Sequence, residues 1–472
     1  MTKFITITEY IKEIISNTKF ENHVFAVGGS VRDLHMKRPI KDIDLVIDIE
    51  NGGVEFAKFC MDSNLLTHDV VIYERFGTAM FKFLKFPDDE IECVMTRGEK
   101  YPDRNSRNPE TVFASIEDDC IRRDLTINAL YYNISTGEIV DMVGGLNDIE
   151  NKVIRTTNEN PDIVFDDDPL RVLRVVRFAT RYGWEIEPKT YDSMKRYVDR
   201  LEIISKERIK DEFNKILLSD NASMGIRTLC DIGAMKYIIP EVDEMIGMEQ
   251  NAFHFGDVFE HTMALLDYDT KHFQSEDVAV RLSLLLHDIG KIKTRSVGDD
   301  GRIHFYDHEF AGSEMIVDIL KRLKYDNKTI EIVQFLVKNH MRTKNFGNDC
   351  VKIKTKSFNK LAYICKNEYL YKALARVIDC DNNSHKAEHI ITGQYDYFMN
   401  HLDDAHKMFN YKLPVDGNDV MEVLGIPAGV MVKKVLDKLI VRAFPNPDTL
   451  TRESCLKSIP SIAKEISKSE SK

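Results

Sequence analysis

Apolar positions fall in short runs over the first third of the chain and in helical periods after it. Val24–Val27 is a continuous apolar run that ends in Gly28-Gly29, and a second strand follows that carries Asp42, Ile43 and Asp44. Runs at 70–73, 78–83 and 90–95 have the length and the branched or aromatic content of further strands. Residues 1–145 therefore read as a head that mixes strands with helices. From 146 to 250 the apolar spacing is helical, with few turn signals before Asp231-Ile232-Gly233 and Pro240. Residues 251–257 read as a linker. Helical periods resume to about residue 400, and 401–472 is a shorter helical tail punctuated by Pro414, Gly417, Pro427 and Gly429. Its end, 458–472, is rich in Ser, Lys and Glu and reads as frayed. The predicted class is α+β: a mixed-sheet head over 1–145, a helical neck and body over 146–250, a helical domain over 251–400 and a helical tail over 401–472.

Composition agrees with several domains, since 472 residues exceed what one core serves. A hydrophobic fraction of 43% and a charged fraction of 30% are those of an ordinary globular protein. No apolar run reaches the length of a membrane span, and Glu9, Lys12 and Glu13 interrupt the first twenty residues, so no signal peptide is predicted. A cytoplasmic protein without membrane contact is expected. The eight cysteines form no CxxC pair, which excludes a zinc ribbon or a disulfide framework and leaves reduced thiols. The net charge of −12 opposes binding to polyanions, but it is unevenly spread. Residues 171–215 hold twelve Lys/Arg against eight Asp/Glu, and residues 321–360 hold eleven against three, including Lys352, Lys354 and Lys356. Because phosphate contacts act over about a Debye length of ~10 Å, such patches outweigh the total. Arg171, Arg174, Arg177 and Arg181 recur at helical steps and line one side of a helix.

The candidate chemistry starts from Asp42 and Asp44. Alternation along a strand puts both carboxylates on one face while Ile43 enters the core. Two hard anionic ligands so placed suit Mg²⁺, and metal held there can activate an attacking hydroxyl and neutralise a leaving pyrophosphate. Gly28 and Gly29 let backbone N–H groups approach a triphosphate, with Ser30 and Arg32 on the helix that follows. Glu92, in the run Glu90-Ile91-Glu92, either completes the metal site from a neighbouring strand or is a strand-edge charge. Together these features point to nucleotidyl transfer.

In this order the motifs resemble the class II tRNA nucleotidyltransferase and bacterial poly(A) polymerase family of the polymerase-β-like superfamily. Arg122-Arg123-Asp124-Leu125-Thr126-Ile127-Asn128-Ala129 is similar to the family's RRDxTxNA motif, and Asp141 to Gly145 with Asp148 to its DxxGG-x-x-D segment. Asp167-Asp168-Pro169-Leu170-Arg171 resembles EDPLR, with Asp167 where Glu is common, and Ile204 to Ile209 resembles ISxERI. The resemblance implies that Arg32 and Arg123 contact triphosphate, that Asp124 contacts ribose with Asn128 in the same motif, and that Asp168 and Arg171 read the incoming base, with Arg174 and Arg177 following along the helix. An aspartate only accepts and an arginine only donates, so the pair suits a base that offers both. The implied reaction is template-independent addition of CCA to the 3′ end of tRNA from CTP and ATP, with Mg²⁺. A poly(A) polymerase and partial CC- or A-adding enzymes share this head and stay open as alternatives. The segment from Asp416 to Gly429 is similar to the family's terminal, tRNA-holding part.

A second series, His261, His287-Asp288, His308, His340 and Asp381, follows. Imidazoles and carboxylates from separate helices can converge on one or two divalent metals. The stretch from about His254 to His385 is similar to the HD phosphohydrolase domain fused to some members of the family. That likeness implies phosphomonoesterase or cyclic phosphodiesterase chemistry, or ligands kept for structure or regulation, and a chain acting mainly as an HD phosphohydrolase stays open as an alternative; the metal is not specified, and Asp379 competes with Asp381 for the last position.

Overall fold

The computed structural model describes residues 2–74, 77–100, 110–250, 256–274, 276–343, 354–385, 390 and 392–470. His254 and Lys352, and with them most of the expected linker, lie outside the described residues. The chain divides into two compact units, Met1–Pro240 and Glu241–Lys472.

The first unit is built on a mixed sheet. Its strands are β1 (Val24–Val27), β2 (Ile43–Ile47), β3 (Val71–Tyr73), β4 (Thr78–Phe83) and β5 (Phe86–Met95); β6 (Arg97–Lys100) and β7 (Glu110–Phe113) pair as a separate ribbon, and β8 (Leu130–Asn133) and β9 (Ile139–Asp141) return to the sheet. The sheet order is β3-β4-β5-β2-β1-β8-β9. Among the described residues β2 and β5 make its parallel pair, the other neighbours being antiparallel. The expected strand at 78–83 has those bounds, while the one expected at 90–95 begins earlier, at Phe86. β1 is buried along its whole length, as its uninterrupted apolar run requires of a central strand.

Helix α1 (Thr2–Ile15) buries Phe4, Ile7, Ile11 and Ile15, one stripe at helical spacing. Its rings reach Tyr132 on β8 and Phe83 on β4, so the helix crosses the sheet. The remaining head helices are α2 (Gly29–His35), α3 (Gly52–Asp62) and α4 (Ile116–Ile121). Helices α5 (Gly145–Asn151), α6 (Pro161–Asp167), α7 (Leu170–Tyr182), α8 (Pro188–Tyr197), α9 (Lys206–Leu217) and α10 (Ala222–Asp231) continue the unit. Their ends follow capping chemistry: Asn160 accepts from Asp162 N–H with Pro161 in the first helical position, α7 stops at left-handed Gly183, and Ser205 caps α9.

The second unit is helical among its described residues apart from a small hairpin, 295–297 with 303–305. Helices 258–273, 278–286, 308–322, 327–339 and 368–383 form its first part. The helix over 278–286 is buried at every position after Val278, Arg281 and Ser283 included. The chain ends in helices 417–424, 430–443 and 452–470. The expected frayed end is corrected here: residues 458–470 are helical, because Ile459, Ile462 and Ile466 form a stripe that packs with Val435 and Leu439. No described helix is long and apolar enough to cross a membrane.

Candidate functional site

The head places its candidate ligands on the face opposite its core. Strand β2 starts at Ile43, so Asp42 stands just before it rather than within it. Ile43 is buried while Asp42 and Asp44 are exposed. Antiparallel register sets Asp44 beside Val27, the last residue before the glycine turn. Parallel register sets Asp44 beside Glu92, whose flanking residues Ile91 and Cys93 are buried. The protein packed around the base of this exposed side chain, Glu92 and Asp42 together push the Asp44 carboxyl up to about 6, against the pull of Arg123. Crowded negative charge of this kind is relieved by a cation.

Gly28 holds φ +73°, a backbone that L side chains rarely adopt, and the Arg123 guanidinium lies beside it: a Cβ there would stand 3.7 Å from Arg123 Nη1. Ser30 Oγ donates to the Val27 carbonyl at 3.1 Å and fixes the turn. Arg32, though cationic, is almost fully buried, donating to Asp33 at 2.9 Å and to Asn128 Oδ1, with its guanidinium 5.3 Å from the Phe178 ring centre. Arg123 is held by Asp119 at 3.0 Å and by Tyr131 Oη at 2.9 Å. Burial alone would raise the Asp119 carboxyl, but Arg123, Arg122 and the Tyr131 hydroxyl hold it down at about 2.

The rest of the predicted set lies where the head meets α7. Asp124 accepts from Asn128 Nδ2 at 3.2 Å and from Arg174 Nε at 2.7 Å. Arg177 pairs with Glu212 of α9 at 3.2 Å. The arginine stripe expected on one side of the helix is therefore engaged within the protein at Arg174 and Arg177, while Arg171 is buried and donates to the Val164 carbonyl at 3.4 Å. Asp168 Oδ1 accepts from Leu170 N–H at 3.0 Å and Oδ2 from Arg208 at 2.8 Å. Asp141 accepts from four successive backbone N–H groups, Val143 to Leu146, and Asp148 takes the Thr126 hydroxyl at 2.7 Å, which closes the loop that joins head to neck.

In the second unit the histidines converge. His261, His287, His308, His340, Asp288 and Asp381 are all buried. Ligand atoms within 4.8 Å of one another group His261, His287 and Asp288; Asp288, His308 and His340; and His261, Asp381 and His385. Asp381 faces His261 at 3.1 Å, whereas Asp379 turns to the Tyr268 hydroxyl and the Tyr395 N–H, so the structure separates the two candidates. Each of the four histidines has Nδ1 against a backbone carbonyl: Ser384, Leu284, Phe305 and Val337 for His261, His287, His308 and His340. A carbonyl only accepts, so Nδ1 carries a proton in each and Nε2 faces inward, the orientation of a metal ligand once Nε2 is unprotonated.

Burial takes His261 down to about 4 and, with His287 and His308 nearby, His340 to about 3. Burial alone would raise Asp288, but His287 and Lys291 hold it well below the carboxylate range. Neither oxygen of buried Asp288, nor His287 Nε2, makes an aligned hydrogen bond, although Lys291 Nζ stands 2.7 Å and His308 Nε2 3.2 Å away. This donor set fits one or two divalent cations.

Comparison with known proteins follows the same division. Residues 24–155 match the family described as Poly A polymerase head domain, residues 183–246 the one described as Probable RNA and SrmB-binding site of polymerase A, and residues 254–374 the HD domain. A Multifunctional CCA protein of Acinetobacter baumannii is 32% identical over 329 residues, covering 68% of this chain and 74% of the relative. The chain belongs to the tRNA nucleotidyltransferase and poly(A) polymerase family. An A-adding tRNA nucleotidyltransferase of Deinococcus radiodurans is 35% identical over 233 residues, 48% of this chain and 53% of that one. The fold is shared with the Bacillus stearothermophilus CCA-adding enzyme in complex with CTP, at a TM-score of 0.67 and 20% identity over 98% of both chains.

As a family member the chain is a nucleotidyltransferase with a fused HD domain, and the mixed-sheet head, helical body and HD domain agree with the α+β class expected. Asp119 escaped the reading of the sequence, while Arg208, Lys291 and His385 fell within stretches singled out there but were given no role. Asp119 sits among like neighbours in ordinary helical sequence, whereas Arg208 belongs to the ISxERI-like stretch. Lys291 is three residues past Asp288, and His385 four past Asp381, spacings that carry a side chain round to the same face of a helix.

Proposed function

We propose that this protein completes the 3′ CCA end of tRNA from CTP and ATP by two-metal nucleotidyl transfer. The observation that carries the reading is the register of β2 on β5 and β1, which sets Asp44 beside Glu92 and at the end of the strand leading to the glycine turn. Asp42, Asp44 and Glu92 would hold Mg²⁺, which when bound supplies charge neutralisation at the triphosphate and a more acidic 3′-hydroxyl. Arg32, Arg123 and the Gly28-Gly29-Ser30 turn would bind the triphosphate, and Asp124 with Asn128 the ribose, Arg174 holding Asp124 in place. Asp168 accepts and Arg171 donates. Cytosine and adenine both present an amino donor beside a ring-nitrogen acceptor, whereas uracil and guanine present the reverse, so one fixed pair admits CTP and ATP and rejects UTP and GTP. The helical tail would help to hold the tRNA, and the protein would act in the cytoplasm, where its substrates are.

The double substitution Asp42→Ala with Asp44→Ala tests this reading on tRNA lacking its CCA end. Incorporation of labelled CTP and ATP is expected to fall on the order of 10³-fold or more, with circular dichroism unchanged. Incorporation at the wild-type rate by the double variant would overturn it. Product lengths with CTP alone, ATP alone and both distinguish CCA completion from CC addition, A addition and poly(A) synthesis.

A second reading is favoured by the inward Nε2 atoms of the four histidines: a metal-dependent phosphomonoesterase or cyclic phosphodiesterase in the HD domain. His261, His287, Asp288, His308, His340 and Asp381 would hold a divalent cation, which when bound supplies Lewis-acid activation of a phosphoryl group.

A further inference from the structure

Asp168 is the acceptor of the base-reading pair, yet the structure fixes it through a residue outside that pair. Its Oδ1 takes the Leu170 N–H at the start of α7. Its Oδ2 takes Arg208 Nη2 at 2.8 Å, from the first turn of α9. Arg208 is itself placed by a capped helix, since the Ser205 hydroxyl accepts its backbone N–H at 3.4 Å. α9 is tied to α7 a turn further on, where Glu212 faces Arg177 at 3.2 Å and Arg174 at 3.9 Å.

The Arg208 side chain is 47% exposed and that of Asp168 25%. An ion pair so open to water contributes little to folding stability, ~1 kcal/mol or less. Its effect is geometric. The last torsion of an aspartate is broad, so a carboxylate held at one oxygen swings about that contact. Held at both, by a backbone N–H and a guanidinium from different helices, it keeps one plane and presents its remaining lone pairs in one direction.

We propose that Arg208 is a positioning residue for nucleotide choice: it keeps the Asp168 carboxylate in the plane that meets the amino group of cytosine or adenine, with Arg171 donating beside it. The inference rests on the reading of Asp168 and Arg171 as the pair that selects the base. A carboxylate released from Arg208 turns, and the penalty against the reversed donor and acceptor order of uracil and guanine falls.

The test compares Arg208→Ala, Arg208→Lys and Asp168→Ala in the full chain, with single-nucleotide incorporation of CTP, ATP, UTP and GTP into tRNA lacking CCA. Equilibrium binding of CTP and UTP supplies the same ratio for any variant too slow to assay, and unfolding temperature checks folding. Arg208→Ala is expected to lower CTP-over-UTP discrimination in kcat/KM roughly tenfold. Arg208→Lys, which keeps a donor, is expected to recover most of it. Equal loss for all four nucleotides in Arg208→Ala, with discrimination intact, would overturn the proposal and leave Arg208 a structural residue. Wild-type discrimination in Asp168→Ala would instead remove the base-reading assignment beneath it.

Discussion

Asp119 shows what one buried carboxylate does for the head. It is fully buried and accepts from Arg122 at 2.6 Å, Arg123 at 3.0 Å and Tyr131 at 2.6 Å, so the cation beside the glycine turn has a fixed counter-charge beneath it. Its carboxyl sits at about 2 in the folded protein against an ordinary value of 3.8. A depressed carboxyl stabilises the fold above its unfolded value, and that contribution is lost as the pH falls through the folded one. Urea unfolding of wild type and Asp119→Asn should therefore differ by about 2 kcal/mol at neutral pH, with the gap closing between about pH 4 and pH 2. Arg123 was legible from its motif because its neighbours in sequence are the motif. Asp119 was not, since it follows exposed Glu117 and Asp118 and nothing in the residue type tells which of the three turns inward. The convergence of the histidines was legible for the opposite reason: histidines are scarce enough for their order alone to carry information.

At the scale of elements, close approach decides more than propensity. Gly290 follows the His287-Asp288 pair, and a Cβ there would stand 2.0 Å from the His308 carbonyl oxygen and 2.4 Å from the Gly312 nitrogen, backbone atoms that cannot swing aside. Gly290→Ala is expected to destabilise the second unit by roughly 3 kcal/mol and to push away the turn that presents His308. Thermal unfolding with bound-metal analysis checks both effects, and an unaltered midpoint would show that the crossing relaxes more easily than these distances imply. The strand at 78–83 was legible because a run of one periodicity was bounded by breakers. The helical end of the tail was read as frayed because Ser, Lys and Glu dominate its composition, and the average hid three isoleucines on one stripe.

For the whole molecule, the two ligand sets differ in what they ask of the solvent. The head carboxylates Asp42, Asp44 and Glu92 are exposed, and the HD set is buried. A cation at the buried site is linked to folding, because unfolding releases it; at a hundredfold excess over Kd this linkage is about 2.7 kcal/mol. Dialysis against a chelator is therefore expected to lower the unfolding midpoint of the wild-type chain, and elemental analysis to find metal before but not after. His287→Ala combined with Asp288→Ala should carry no HD metal and show no chelator response. A midpoint indifferent to chelation in the wild type would make the histidine cluster a polar core rather than a metal centre. That strands give way to helices along the chain was legible from the change in period. How β2 and β5 align was not, because register depends on strands distant in sequence.

That alignment has a consequence for how the protein comes to be active. Glu92 reaches Asp44 only after the chain has laid down α3, β3 and β4 and returned parallel to β2. A slip of one residue in that pairing would set Ile91 or Cys93 beside Asp44 and turn Glu92 toward the core. The pairing of Asp44 with Glu92 is thus assembled by the same non-local step that completes the sheet, one of the slower events in folding such a head. If Asp44 and Glu92 hold the metal as proposed, a misaligned chain is expected to be catalytically silent, and metal binding at the head to report that the sheet has closed in register.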